Sequence, residues 1–338
     1  MANIVQLEEG GPRRASLEPL MRLVGDDLSK VNRTILDRMD SRAPLIPQLA
    51  GHIIASGGKR LRPMLTLASA LLCGYVGERQ IGLAAAVEFI HTASLLHDDV
   101  VDKSDLRRGD TTANLLWGNQ PSVLVGDFLF SRAFQIMVAD GSLEVLRVLA
   151  DASAIISEGE VMQLETLNNV DIPEEKYLDV VAAKTAALFS AASRIGALIA
   201  GKGRVEEDAL ESYGRNLGIA FQLVDDCLDY SAQQATLGKT VGDDFRECKV
   251  TLPVLLAYRR GDDADQAFWK RTISDGEQKN GDLSRAMDLL QGSGALTDSI
   301  IRARHYGAMA RDALGIFPDG EAKGVLTDVI DFCIERAY

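Results

Sequence analysis

The chain has 338 residues, 46% of them hydrophobic and 25% charged, enough to bury a substantial core. Its formal charge of −13 argues against a nucleic-acid binder, because neutralising phosphate takes an excess of Lys and Arg. The four cysteines form no CxxC pair and no zinc pattern, as expected of a reduced, cytoplasmic protein.

Taken in order, residues 1–16 carry Glu8, Glu9, Arg13 and Arg14 but no apolar run. They are expected to be disordered and read neither as a secretory signal nor as a transit peptide. Ser56-Gly57-Gly58 is a loop before the basic cluster Lys59, Arg60 and Arg62. The run from Ile81 to Val101 is rich in Ala and Leu and predicts a long buried helix. It ends in Asp98-Asp99-Val100-Val101-Asp102, followed by a polar loop from Lys103 to Thr112. Further helices are expected over Glu158–Leu167, Tyr177–Ile199 and Leu252–Arg259. Ser212–Tyr230 predicts a helix ending in Asp225-Asp226-Cys227-Leu228-Asp229, and a polar loop runs on to Lys249. Near the end, Leu326, Val329, Ile330, Cys333 and Ile334 form one apolar helical stripe. No period-two alternation predicts a strand. The nearest approach to a spanning helix, Ala186–Gly201, is interrupted by Arg194, so no transmembrane segment is expected. The expectation is a single all-α domain over residues 17–338.

The two acidic motifs share one spelling, with carboxylates at i, i+1 and i+4 inside apolar helices. Residues three and four apart are surface neighbours on a helix, so each triplet is expected to lean toward one spot. Carboxylates that close hold protons unless a cation sits among them. Hard oxygen ligands suit magnesium, which takes one or two carboxylates and completes its shell with water and phosphate. Facing each other, the motifs would form a multi-magnesium diphosphate site. Cys227 lies within the second motif, but a thiolate is too soft for magnesium and is read as packing. The basic islands at Lys59–Arg62 and Arg107-Arg108 suggest small anionic ligands, against the blander reading of a solvated turn.

Several further motifs accompany these in order. They are Gly57-Gly58-Lys59-Arg60-Leu61-Arg62-Pro63, Glu88 to Asp99, Leu106-Arg107-Arg108-Gly109, Gly159 to Leu164, Lys184-Thr185, Phe221 to Asp226 and Lys249 to Pro253. This set resembles the all-trans polyprenyl diphosphate synthases, long-chain type, from about residue 20 to the C-terminus. The resemblance implies an isoprenoid synthase-like helical bundle around a central cavity, usually a homodimer. It implies transfer of an allylic prenyl group, from farnesyl or geranylgeranyl diphosphate, onto isopentenyl diphosphate. The expected product is an all-trans chain of about forty to fifty carbons for a respiratory quinone, delivered to a membrane. Three Mg2+ ions would be held by Asp98, Asp102 and Asp225, with Asp99, Asp226 and Asp229 as further ligands or behind them. Arg107, Lys184, Lys239 and Lys249 would grip the allylic diphosphate. Lys59, Arg62, His91 and Arg108 would form the isopentenyl diphosphate pocket. Gln222 and Thr185 would stabilise the cation by their oxygen dipoles.

Each assignment has a plainer rival. His97 is read as a structural hydrogen-bonding residue, and His91 by itself as a core histidine. Lys184 sits among Ala and Val, where a lysine is costly unless paired. Lys239 and Lys249 lie in a polar loop where solvation alone would explain them, and Arg60 and Lys103 are read as surface charges. Asp243-Asp244 either assists a metal through water or caps a turn. Cys248 stands where the family commonly has glycine, and Cys227 where it has an aliphatic residue. One turn below Asp98 lie Ala93 and Ser94, then Phe89 and Ile90, then Ala86 and Ala85. The small pair, where short-chain relatives tend to carry aromatic rings, is expected to let a product tunnel continue, with Leu146 or Leu149 as candidate floors. Other readings are a shorter-chain synthase, a terpene cyclase and a non-catalytic regulatory subunit. Aromatic residues at 6% are few for a cyclase, and both acidic motifs are complete, unlike those of a dead subunit.

Overall fold

The computed structural model describes residues 15–55, 58–107, 109–231 and 241–336. The expectation of disorder over 1–16 falls outside them except for Ala15 and Ser16. The Ala15 N–H donates to Glu335 at 3.1 Å.

Helices dominate, as the apolar periodicity requires. The first four are α1 (Glu18–Arg38), α2 (Leu45–Ala55), α3 (Leu61–Leu72) and α4 (Arg79–Val101). A minimal ribbon follows, in which β1 (Leu106–Arg107) pairs antiparallel with β2 (Asp110–Thr111). Strands of two residues are too short to show alternation, which is why the sequence reads only as a polar loop. Next come α5 (Ala113–Trp117), α6 (Asn119–Asp140) and α7 (Leu143–Thr166). Ser142 caps α7 by accepting the Val145 N–H. α8 (Glu174–Val181) passes through a π turn at Ala182–Ala186 into α9 (Ala187–Ile199). The chain continues as α10 (Arg204–Leu228), α11 (Asp243–Arg246), α12 (Leu252–Arg260) and α13 (Asp263–Trp269). It ends in α14 (Asp282–Gly292), α15 (Ala295–Ala313) and α16 (Glu321–Glu335).

α4 is buried almost all round, from Leu83 through Ile90, as befits a helix apolar on every face. It packs on α6, α3 and α1, and α10 packs on α15. Both acidic-motif helices also pack on α9, which touches α3 and α7 as well. Small residues permit that crowding. A Cβ on Gly214 of α10 would fall 2.3 Å from the Phe189 carbonyl oxygen.

Among the described residues α6 alone is long and apolar enough to cross a bilayer. Ala186–Gly201 was therefore not the nearest approach. Asp127 and Arg132 hid α6 by interrupting its apolar run. One face of α6 packs on α4, while Leu124 and Val138 are exposed.

Gly214→Ala forces a methyl into backbone that has no room to move. It is expected to lower stability by about 1–3 kcal/mol in urea unfolding, the usual range for overpacking. A change within about 0.5 kcal/mol, the range of an ordinary surface substitution, would contradict the close α9–α10 contact.

Candidate active site

Both acidic motifs terminate their helices, α4 and α10. Successive residues diverge by about 100° on a helix, so the middle aspartate of each motif turns away from its neighbours. Asp99 is 1% exposed and pairs with the Arg107 guanidinium at 2.6 Å. Buried Asp226 accepts from the Tyr177 hydroxyl and, at 2.7 Å, from the Gln222 amide. Asp229 accepts the backbone N–H groups of Asp243 and Asp244 at 3.2 and 3.1 Å, holding the start of α11. The triplets thus do not lean toward one spot. Among the described residues no three acidic, histidine or cysteine groups form a ready metal cage.

Two lysines reach the first motif and line one cavity with Asp226 of the second. Lys184, in the π turn, lies 2.7 Å from Glu160 and 3.9 Å from Asp98. Its neighbour Thr185 donates to Gln222 at 2.9 Å, so one turn of chain reaches both motifs. Such π turns are frequent at functional sites because the extra residue re-aims side chains. Lys249 lies 2.5 Å from Glu247 and 3.4 Å from Asp102. Cys248 before it has φ +55°, a left-handed conformation that favours glycine. Lys184, Thr185, Gln222, Asp226, Asp244 and Lys249 line a cavity of about 160 Å³ with apolar walls that include Ile172, Val180 and Val181. A larger groove of about 680 Å³ runs along α7, α9 and α10, and no predicted site residue lines it.

The other predicted residues are placed as follows. Lys59 sits 4.6 Å over the Phe332 ring of α16. Arg62 Nη1 is 3.2 Å from His91 Nε2, and its guanidinium stacks 4.4 Å from Phe189, so His91 faces a cation rather than only core. Arg108 and Lys239 lie outside the described residues. His97 contacts the Val123 carbonyl at 3.1 Å and Asp127 at 3.5 Å, away from the cavity. Cys227 is buried, and burial pushes its thiol up to about 12, in keeping with packing. Arg60 corrects an expectation: it pairs with buried Glu88 instead of lying on the surface, because Glu88 would otherwise be an uncompensated buried charge. Asp243 pairs with Arg246 at 2.6 Å. Phe89, Ile90 and Ala93 are buried, and the half-buried Ser94 donates to the His91 carbonyl at 2.8 Å. Neither cavity named above is lined by these four.

Sequence reasoning missed four contributors, Glu160, Tyr177, Glu247 and Arg336. Arg336 Nη1 lies 3.1 Å from Asp225. Only Glu160 carried a signal, within the Gly159–Leu164 motif.

The protonation pattern shows what the site lacks. Burial pushes Asp98 up to about 7, with Lys184 opposing and Glu160 and Asp102 adding to the rise. Burial pushes Asp226 to about 6 against the Tyr177 and Gln222 hydrogen bonds, and Asp229 to about 6 against its two amides. Asp244 is pushed up by burial and by Asp229 and Asp226. Burial works to lower Lys249, but Asp244, Asp102 and Glu247 outweigh it and raise its pKa. Negative charge therefore exceeds the two lysines' capacity. The hard oxygens of Asp98, Asp102 and Asp225, which face Lys184, Lys249 and Arg336, fit a divalent ion that brings its own water and phosphate.

Known proteins resemble the chain over nearly its whole length. The Polyprenyl synthetase family profile matches residues 43–290. The chain belongs to that family. It is 45% identical over 323 residues to the octaprenyl diphosphate synthase of Escherichia coli (strain K12), covering 95% of this chain and 99% of the relative. A decaprenyl diphosphate synthase from Rhodobacter capsulatus superposes with a TM-score of 0.92 at 50% identity, covering 96% of this chain and 100% of that one. A polyprenyl synthase from Caulobacter crescentus CB15, solved with calcium and isoprenyl diphosphate, gives 0.93 at 49% identity, covering 97% and 100%. This polyprenyl synthetase is therefore an all-helical prenyltransferase of the long-chain, all-trans type.

The raised carboxyls have a linkage consequence. Between the ordinary 3.8 and about 7 the folded chain holds a proton on Asp98 that the unfolded chain has lost. The stability this group contributes is full below 3.8 and is lost as pH rises through about 7. In chelator, Asp98→Asn is expected to flatten the fall in Tm between about pH 5 and pH 8. A fall identical to that of the parent chain would contradict the assignment.

Proposed function

We propose that this synthetase adds isopentenyl diphosphate units to farnesyl or geranylgeranyl diphosphate. The product is an all-trans polyprenyl diphosphate of about forty to fifty carbons, an extended unit spanning roughly 4–5 Å. The placement of Lys184 and Lys249 between the two acidic helix ends carries this reading. In the reaction the allylic carbon–oxygen bond breaks and its electron pair leaves with diphosphate. The π pair of isopentenyl diphosphate forms the new carbon–carbon bond, and a proton then departs, with released diphosphate as its acceptor. Magnesium, proposed as three ions near Asp98, Asp102 and Asp225, supplies positive charge for the departing oxygens when bound.

The chain's own residues do the rest. Asp99, Asp226 and Asp229 stand behind those ligands, held by Arg107, by Tyr177 and Gln222, and by the α11 amides. Arg107, Lys184 and Lys249, with Lys239, hold the allylic diphosphate. Arg forks match phosphate oxygens bidentately where lysines act as point charges. Lys59, Arg62, His91 and Arg108 take the second diphosphate. Gln222 and Thr185 turn oxygen dipoles toward the allylic cation, and Ile172, Val180 and Val181 exclude water from it. Ala93 and Ser94 place no ring on the first turn beneath Asp98.

We read residues 17–338 as one domain working as a homodimer. The exposed Leu115, Leu116, Leu124, Val138 and Leu143 on α5, α6 and α7 support a second copy there. We read the chain as a cytoplasmic enzyme that releases its product to a membrane for a quinone side chain.

Purified protein with farnesyl diphosphate, isopentenyl diphosphate and magnesium is expected to yield long polyprenols after dephosphorylation, measured by mass spectrometry. Ala93→Tyr is expected to cut the product to about three or four isoprene units, a ring blocking roughly one helical turn below Asp98. Geranylgeraniol alone from the parent chain would overturn the long-chain reading. Unchanged products from the variant would overturn the tunnel along α4.

A further inference from the structure

Arg336 ends the last helix and is 14% exposed. Its guanidinium makes four contacts. Nη1 lies 3.1 Å from Asp225 Oδ1, Nη2 donates to the Phe221 carbonyl at 2.7 Å, and Nε donates to the Cys333 carbonyl at 3.1 Å. The guanidinium carbon sits 3.8 Å from the Phe221 ring centroid. Phe221 directly precedes Gln222, and its ring lies 5.6 Å from that of Phe189, over which Arg62 stacks.

The neighbouring Phe332 of α16 receives Lys59 on its ring. One turn of the C-terminal helix thus touches both the basic flank at α3 and the first aspartate of the second motif. Asp225 differs from the other second-motif aspartates. Its side chain is 46% exposed, whereas Asp226 and Asp229 are buried and held by hydrogen bonds from Tyr177, Gln222 and the α11 amides. The contact to Oδ1 holds one carboxylate oxygen of a side chain that is otherwise nearly half exposed. A carboxylate on an open helix end explores several rotamers, and holding one oxygen selects among them.

We propose that Arg336 is a positioning residue that orients Asp225 for ion binding and thereby makes the docked C-terminal helix part of the active site. This rests on the proposed prenyl transfer. The Phe221 carbonyl and ring fix the guanidinium, so it orients the carboxylate as a rigid fork rather than as a mobile counter-charge.

The test compares Arg336→Gln and Arg336→Lys with the parent chain. The first readout is the magnesium concentration giving half the thermal stabilisation in the presence of inorganic pyrophosphate, which needs no turnover. Removing such an outer partner typically weakens ion affinity or activity 10–100-fold. Arg336→Gln is expected to raise the magnesium midpoint by about ten-fold and lower kcat by about ten-fold. The KM for isopentenyl diphosphate should stay unchanged, and Arg336→Lys should fall between. A lower Tm with an unmoved magnesium midpoint would overturn the proposal in favour of a purely structural contact. A higher KM for isopentenyl diphosphate with an unmoved midpoint would overturn it in favour of direct diphosphate binding. If the parent chain lacked turnover, prenyl transfer would fall while the magnesium midpoints still decided the role of Arg336.

Discussion

Everything at this site depends on an imbalance of buried charge. Asp98, Asp226, Asp229 and Asp244 are all pushed toward the protonated form, while Lys184 and Lys249 are the lysines that reach into their midst. A carboxylate buried without full compensation holds a proton or recruits a cation. The fold therefore maintains a region where a divalent ion replaces protons and repulsion at once. That excess of buried negative charge suits the site to a divalent ion accompanied by diphosphate.

Geometry for that exchange comes from α9 and the π turn that starts it. Close helix contacts, such as Gly214 against the Phe189 backbone, set α9 firmly between the helices bearing the two motifs. The π turn then directs Lys184 to Glu160 and Asp98 and Thr185 to Gln222. Each acidic triplet works divided: its middle aspartate is fixed from behind, and its outer members are left for exchangeable partners. Asp229 departs from that division, since two backbone amides hold it.

Much of this was legible because apolar period and acidic spelling are local signals. The extent of α4, the acidic end of α10 though not its first two turns, the pairing requirement of Lys184 and the packing role of Cys227 follow from neighbours in sequence. The partners of the motif aspartates do not. Tyr177 and Asp226 lie 49 residues apart, and nothing local marks a tyrosine in the first turn of α8 as a hydrogen-bond donor to a distant carboxylate. Arg336 sits at the end of a helix whose stripe reads only as core. Arg60 reads as a surface charge because its partner Glu88 is hidden inside the apolar run of α4. Asp127 and Arg132 break the apolar pattern of α6, although Val123, Leu124, Phe134 and Val138 are exposed along it.

A crystal soaked with manganese and a non-hydrolysable allylic thiodiphosphate addresses the charge imbalance most directly, since anomalous scattering locates each ion. Ions between the ends of α4 and α10, contacting Asp98, Asp102 and Asp225 with the diphosphate between Lys184 and Lys249, are the expected result. Diphosphate bound elsewhere, with those carboxylates still facing only lysine and arginine, would contradict it.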